Sequence, residues 1–130
     1  MIRTRNPATE EFLHEYATHD SAQIDALLDR ARRAFVLWAN AGYPERGALM
    51  LAVADLMRSE KTRCATMITT EMGKPIVEAE AEIEKCALSC EHYAQRSQTY
   101  LAEQPVVSNA QRSYVAFRPL GVLLAIMPWN

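Results

Sequence analysis

The residue best suited to chemistry in this chain is Asn130, which follows the apolar run Val122–Met127 and the dipeptide Pro128-Trp129. Its side-chain amide is a neutral N–H donor, able to stabilise an oxyanion without adding a titrating group. The same residue also serves simply to turn the chain after a strand. A short apolar run bounded by turn residues (Pro119-Leu120-Gly121 before, Pro128 after) reads as a strand buried on both faces. Pro128 stops the ladder because it has no N–H to donate. Residues just beyond then lie at the carboxyl edge of a sheet, where open α/β sheets bind ligands. Ile126, Met127, Pro128 and Trp129 combine a strand edge with a flat aromatic ring, a suitable wall for a dinucleotide; ordinary sheet core accounts for Ile126 and Met127 equally.

Other groups with chemical potential have plainer readings. Cys86 and Cys90 lie four apart on one helical face, with His92 close by in sequence. A metal centre needs two more ligands, and His92 points away from that face. A buried apolar stripe explains both thiols, and Cys64 likewise, since free cysteine packs as a small hydrophobe; no metal site is expected. Gly73-Lys74-Pro75 lacks the glycine-rich loop and preceding strand of a phosphate cradle, and reads as a helix junction. Glu78, Glu80, Glu82 and Glu84 point in different directions around a helix and are expected to be solvated.

The elements that position these residues are mostly helical. Residues 2–16 read as a hairpin, with Asn6-Pro7-Ala8-Thr9 as its turn and Phe12, His14 and Tyr16 alternating after it. Asp20 or Ser21 caps a helix whose Ile24, Leu27, Leu28, Ala31, Phe35 and Trp38 share a face, and Gly42 closes it as a left-handed cap. Pro44 opens a second helix with a Leu49, Val53, Leu56 and Met57 stripe. Ser59 caps a third, carrying Cys64, Met67, Ile68 and Met72 and ending at Gly73. Lys74-Pro75 starts the longest helix, whose Ile76, Ala79, Ile83, Cys86, Ala87, Cys90 and Ala94 face one way up to about Leu101; its early glutamates suit the helix dipole. Ser113–Phe117 has strand composition. A helical layer over 21–101 followed by strands over 112–118 and 122–130 makes sense as a layer awaiting a sheet. The last strand has no neighbour in this sequence, which predicts the front part of a larger protein.

Arg118-Pro-Leu-Gly-Val122 followed by Ile126-Met-Pro-Trp-Asn130 resembles the aldehyde dehydrogenase superfamily where its chain enters the cofactor-binding domain. Thr70-Glu-Met-Gly-Lys-Pro-Ile76 is similar to the succinate-semialdehyde dehydrogenase branch, and Asn6-Pro-Ala-Thr9 to the family's N-terminal hairpin. The resemblance covers nearly all of this chain but only the front of the family's usual length. It implies an α/β complete protein with a Rossmann-type cofactor domain, of which this chain is a mostly α-helical piece with an N-terminal hairpin and two C-terminal strands. It implies an oxidoreductase using NAD or NADP. In that chemistry a cysteine thiolate attacks the aldehyde, hydride leaves to the nicotinamide, and water activated by a carboxylate hydrolyses the thioester. The family's oxyanion-holding asparagine maps onto Asn130, and its cofactor wall onto Ile126, Met127, Pro128 and Trp129. The family's nucleophile lies far downstream of Pro-Trp-Asn, so none of Cys64, Cys86 and Cys90 corresponds to it. The strand over 112–118 resembles the family's oligomerisation strand, implying a homodimer or homotetramer.

Composition agrees with such an enzyme and excludes other classes. The 130 residues carry 14 Lys and Arg against 16 Asp and Glu, so nothing favours nucleic acid or an anionic membrane surface. No apolar run approaches the roughly 18 residues that span a bilayer. Three cysteines without a secretion signal suggest a reducing cytoplasm, and the expected partner is a small aldehyde substrate. A different class of function is also open: a short helical interaction module pairing through Tyr114–Phe117 and Val122–Met127. Size-exclusion separates the two, because a chain with unpaired apolar strands aggregates, whereas a module runs as a clean monomer or dimer.

Overall fold

The computed structural model describes residues 1–127. Its elements are β1 (Ile2–Arg5), β2 (Phe12–Tyr16), α1 (Ser21–Asn40), α2 (Tyr43–Ser59), α3 (Lys61–Met72), α4 (Ile76–Tyr100), β3 (Gln104–Pro105) and β4 (Tyr114–Val115). β1 and β2 form the expected antiparallel hairpin, pairing Ile2 with Tyr16 and Arg3 with Glu15, with a bulge between Thr4 and Arg5. Asn6 builds the turn: its Oδ1 accepts from the Ala8 N–H at 2.9 Å and its backbone exchanges bonds with Glu10 and Glu11. Arg3 donates across the strands to Glu15 at 2.6 Å.

Asp20 is the N-cap of α1, and the capping box is complete. Its Oδ1 accepts from the Gln23 N–H at 2.8 Å, and the Gln23 side chain accepts from the Asp20 N–H at 2.9 Å. No residue of α1 is buried; on the expected apolar face Ala31 and Phe35 are half-covered, while Ile24, Leu28 and Trp38 stay exposed. The left-handed cap expected at Gly42 is not there. Ala41 and Gly42 are both extended, with φ −65° and −68°, and Gly42 serves as the N-cap of α2. The turn between the two helices is so short that Gly42, directly after the Ala41 C-cap, must already begin α2, and an N-cap needs extended backbone. Pro44 takes the first turn of α2 as expected.

The core lies where α2 and α3 pack on α4, and it is made of small residues. Ala54, Ala65, Ala79 and Ala87 are fully buried, and among the described residues no large side chain is. Gly47 of α2 is buried as well. A Cβ added there would lie 3.1 Å from the Ala94 carbonyl oxygen, so α2 and α4 meet backbone to backbone. Leu49 and Leu56, expected in the packed stripe of α2, face outward at 52% and 61% exposure. The packed face is Gly47, Met50, Val53, Ala54 and Met57, because side-chain size at a crossing sets how near two helices approach. Ser59 is not a helix cap either. Its Oγ donates back to the Leu56 carbonyl at 2.9 Å, inside the last turn of α2, and α3 begins after Glu60 with no side-chain cap.

Gly73 ends α3 in the left-handed conformation, φ +74°, its N–H donating to Thr69 O at 2.9 Å. A Cβ there would also meet Pro7 Cγ of the hairpin turn at 3.0 Å. Replacing Gly73 with alanine is therefore expected to destabilise the fold by about 1–2 kcal/mol, read as a lower urea midpoint with unchanged slope.

Charges tie α2 to α4. Arg58 donates from Nε to Glu84 at 3.0 Å and from both terminal nitrogens to Glu91 at 2.5 and 3.1 Å; Lys74 pairs with Glu82. The solvated reading of Glu82 and Glu84 is thus wrong: each sits beside a cation from a neighbouring segment. The Arg58 hydrogen bonds hold the Glu91 carboxyl below the usual carboxylate range, against a smaller opposing effect of partial burial. A carboxyl depressed on folding adds stability that is complete above its unfolded pKa, about 4.3, and disappears as pH falls through the lower folded value. Thermal unfolding between about pH 5 and 2 is expected to fall less steeply in Arg58→Gln than in the parent; equal slopes would contradict the link.

One of the two expected C-terminal strands is present, in shortened form. β4 keeps only Tyr114–Val115 of the 112–118 segment and pairs with β3, which the sequence reading did not foresee, through Gln104↔Val115 and Pro105↔Tyr114. Arg112 stacks on Tyr114, 4.5 Å from the ring centroid, and donates to Glu103 at 2.6 Å. Val122–Met127 is irregular and exposed rather than a buried strand. An apolar strand needs a paired neighbour on each side, and among the described residues this segment pairs with neither small sheet.

Candidate functional site

The segment singled out for chemistry begins at Gly121, whose φ of +124° swings the chain toward α1. Gly121–Leu124 and the α1 residues Leu28, Arg32 and Phe35 line a cavity of about 460 Å³. Beyond it, Ile126 and Met127 are 81% and 82% exposed, so their apolar surface is not consumed by the helices. Pro128, Trp129 and Asn130 lie outside the described residues.

The remaining candidates separate cleanly. Gly73-Lys74-Pro75 is a helix junction, with Gly73 capping α3 and Pro75 opening α4. Cys64 and Cys90 are half-buried, but Cys86 is exposed, which corrects the common buried stripe. Ala79, Ile83, Ala87, Cys90 and Ala94 make the inward line of α4 at helical spacings of four or three, and Cys86 stands to one side of it. Cys86 and Cys90 border a groove of about 740 Å³ with Met57, Lys74 and Glu82. His92 is engaged elsewhere, its Nε2 2.9 Å from the Tyr100 hydroxyl and its ring edge-on to Tyr93. Among the described residues no three His, Cys, Asp or Glu side chains converge as a metal-ligand set, and no helix is long and apolar enough to cross a membrane.

The sequence reading missed the role of Arg58. The available signal was the seven-residue spacing of Glu84 and Glu91, which puts two carboxylates on one face of α4 two turns apart.

Comparison with known proteins places this helical layer and the apolar segment that follows it. The model of the aldehyde dehydrogenase family matches residues 1–130, and the chain belongs to that family. It is 39% identical over 129 residues to a probable NADP+ succinate-semialdehyde dehydrogenase of a Synechocystis species, covering 99% of this chain and 28% of the relative. It is 37% identical over 132 residues to succinate-semialdehyde dehydrogenase [NADP(+)] 1 of Mycobacterium tuberculosis, covering 99% and 29%. The chain thus spans a little over a quarter of the length of these curated relatives. Among solved structures, succinic semialdehyde dehydrogenase from Streptococcus pyogenes, in complex with NADP+, superposes with a TM-score of 0.82 at 27% identity, over 88% of this chain and 25% of that one. The structure of Gox0499 superposes at 0.87 with 30% identity, over 92% and 27%.

Proposed function

We propose that this chain is the N-terminal part of an aldehyde dehydrogenase that oxidises succinic semialdehyde to the acid with NADP, or NAD, as cofactor. The observation that carries the proposal is the match to two succinate-semialdehyde dehydrogenases along 99% of the chain. Both relatives are named for NADP+, which favours NADP over NAD.

Within that reaction this chain supplies two things. Asn130 donates its amide N–H to the oxygen that gains charge as the aldehyde carbon becomes tetrahedral; being neutral, the amide holds the charge without exchanging a proton. Ile126, Met127, Pro128 and Trp129 form an apolar face that positions the cofactor and excludes water. The cofactor, when bound, accepts the hydride. The nucleophilic thiolate and the base come from sequence beyond these residues, since Cys64, Cys86 and Cys90 belong to the helical layer. A purified polypeptide of residues 1–130 is accordingly expected to give no reduction of NADP or NAD with succinic semialdehyde. Turnover by that polypeptide would overturn this division of labour. The strand over 112–118 would serve contacts between subunits of a homodimer or homotetramer.

A further inference from the structure

Most of the arginines that bridge elements of this fold have a carboxylate against them, as Arg3, Arg58 and Arg112 do. Among the arginines without an ion pair among the described residues, one pair shares a cavity with a buried, unpartnered N–H. Arg46, one turn into α2, and Arg118, after β4, line one cavity of about 480 Å³ with Tyr43, Leu101, Phe117 and Pro119. None of the lining residues, among those described, is acidic, and neither guanidinium has an ion pair among the described residues. Arg46 is half-buried and its guanidinium carbon lies 4.6 Å over the Tyr43 ring, which fixes its plane. Its Nε is shut off from solvent with no acceptor. A buried N–H without a partner is rare, and it marks a place where one is missing. Two like charges at one apolar-walled cavity repel unless an anion sits between them.

We infer that Arg46 and Arg118 form an oxyanion-binding site, taking a carboxylate or phosphate group in the cavity beside Tyr43. The guanidinium fork matches such a group with two parallel N–H donors, and Arg118, which is exposed, lines the same cavity. Two sources share this chemistry: a small free anion, or a carboxylate side chain supplied by the remainder of the polypeptide. The second source rests on the proposed reading of this chain as part of a longer polypeptide; the first does not, and the test reads binding rather than turnover.

The probes are inorganic phosphate and succinate, titrated at constant ionic strength against sodium chloride, with the Arg Nε–H signals followed by NMR. A free anion is expected to shift the Arg46 signal saturably at roughly millimolar concentration. Affinity should fall about tenfold or more in Arg46→Gln and in Arg118→Gln and hold in Arg96→Gln, a residue of α4 that does not line the cavity. If neither anion binds but the Arg46 Nε–H is already shifted and slow to exchange, the site is filled by a carboxylate of the polypeptide itself. Loss of that protection on Arg118→Gln would support the pairing. No anion response together with a fast-exchanging, unshifted Arg46 signal would overturn the inference, as would binding equal in all three variants.

Discussion

Replacing Asn130 with alanine, in the enzyme that carries this chain, is expected to lower kcat about 10²–10³-fold while leaving KM within a few-fold of its starting value. The reason lies in when the hydrogen bond matters. An aldehyde oxygen carries little charge in the ground state and close to a full charge once the carbon is tetrahedral. A fixed donor there is worth far more to the transition state than to the bound substrate, which lowers kcat rather than raising KM. One such donor typically contributes about 3–4 kcal/mol to the barrier. Asn130→Asp is the sharper variant, since it keeps the shape but turns the donor into an acceptor with a negative charge facing the oxyanion; its kcat should fall further than that of Asn130→Ala. If both variants keep kcat within about threefold of the parent, the residue only turns the chain.

The second large effect concerns the scaffold. Gly47→Leu is expected to destabilise the fold by about 3 kcal/mol, the upper end for overpacking a tight contact. The position has no space to give, because a Cβ already stands 3.1 Å from the Ala94 carbonyl oxygen. That oxygen belongs to the backbone of α4, so relief requires moving a whole helix. Everything registered on that contact moves with it, including the Arg58 bonds to Glu84 and Glu91. Gly47→Ala separates crowding from helix propensity. Alanine gains about 0.8–1.0 kcal/mol over glycine in a helix interior, which offsets a contact needing a few tenths of an ångström, and its net change should be small. Denaturant unfolding checks both; equal midpoints for Gly47→Leu and the parent would mean the helices do not meet there.

What could be read from the residues depended on how local the cause was. The N-cap at Asp20 (one of two candidates), the helix end at Gly73 and the Asn6 turn depend on neighbours within a few positions, and each stands where expected. Gly42 shows the limit of that logic: glycine suits a left-handed cap or an N-cap, and only the next helix, starting at Tyr43, decides between them. Apolar periodicity found the helices and most of the inward face of α4, including Ala79 and Ala87. On α2 it favoured Leu49 and Leu56, whereas the core there is built on Gly47 and Ala54, small residues whose value is closeness rather than bulk. On α4 it misplaced Cys86. Strands depended most on what lies far away in sequence. Tyr114–Val115 found a partner in Gln104–Pro105 that no pattern announced, and Val122–Met127, with strand composition throughout, has none among the described residues. The site was legible as a motif, Pro128-Trp129-Asn130, and its role rests on family resemblance.

The central claim is that these residues work as the front of a succinic semialdehyde-oxidising enzyme. The most direct test is to capture the native polypeptide from its own cells with an antibody to residues 74–101, weigh it intact, and assay the captured protein with succinic semialdehyde and NADP or NAD. The account predicts a polypeptide several times heavier than 14.7 kDa that reduces the cofactor only when the aldehyde is present. A captured species of 14.7 kDa, or a heavier one that oxidises no aldehyde, would contradict it.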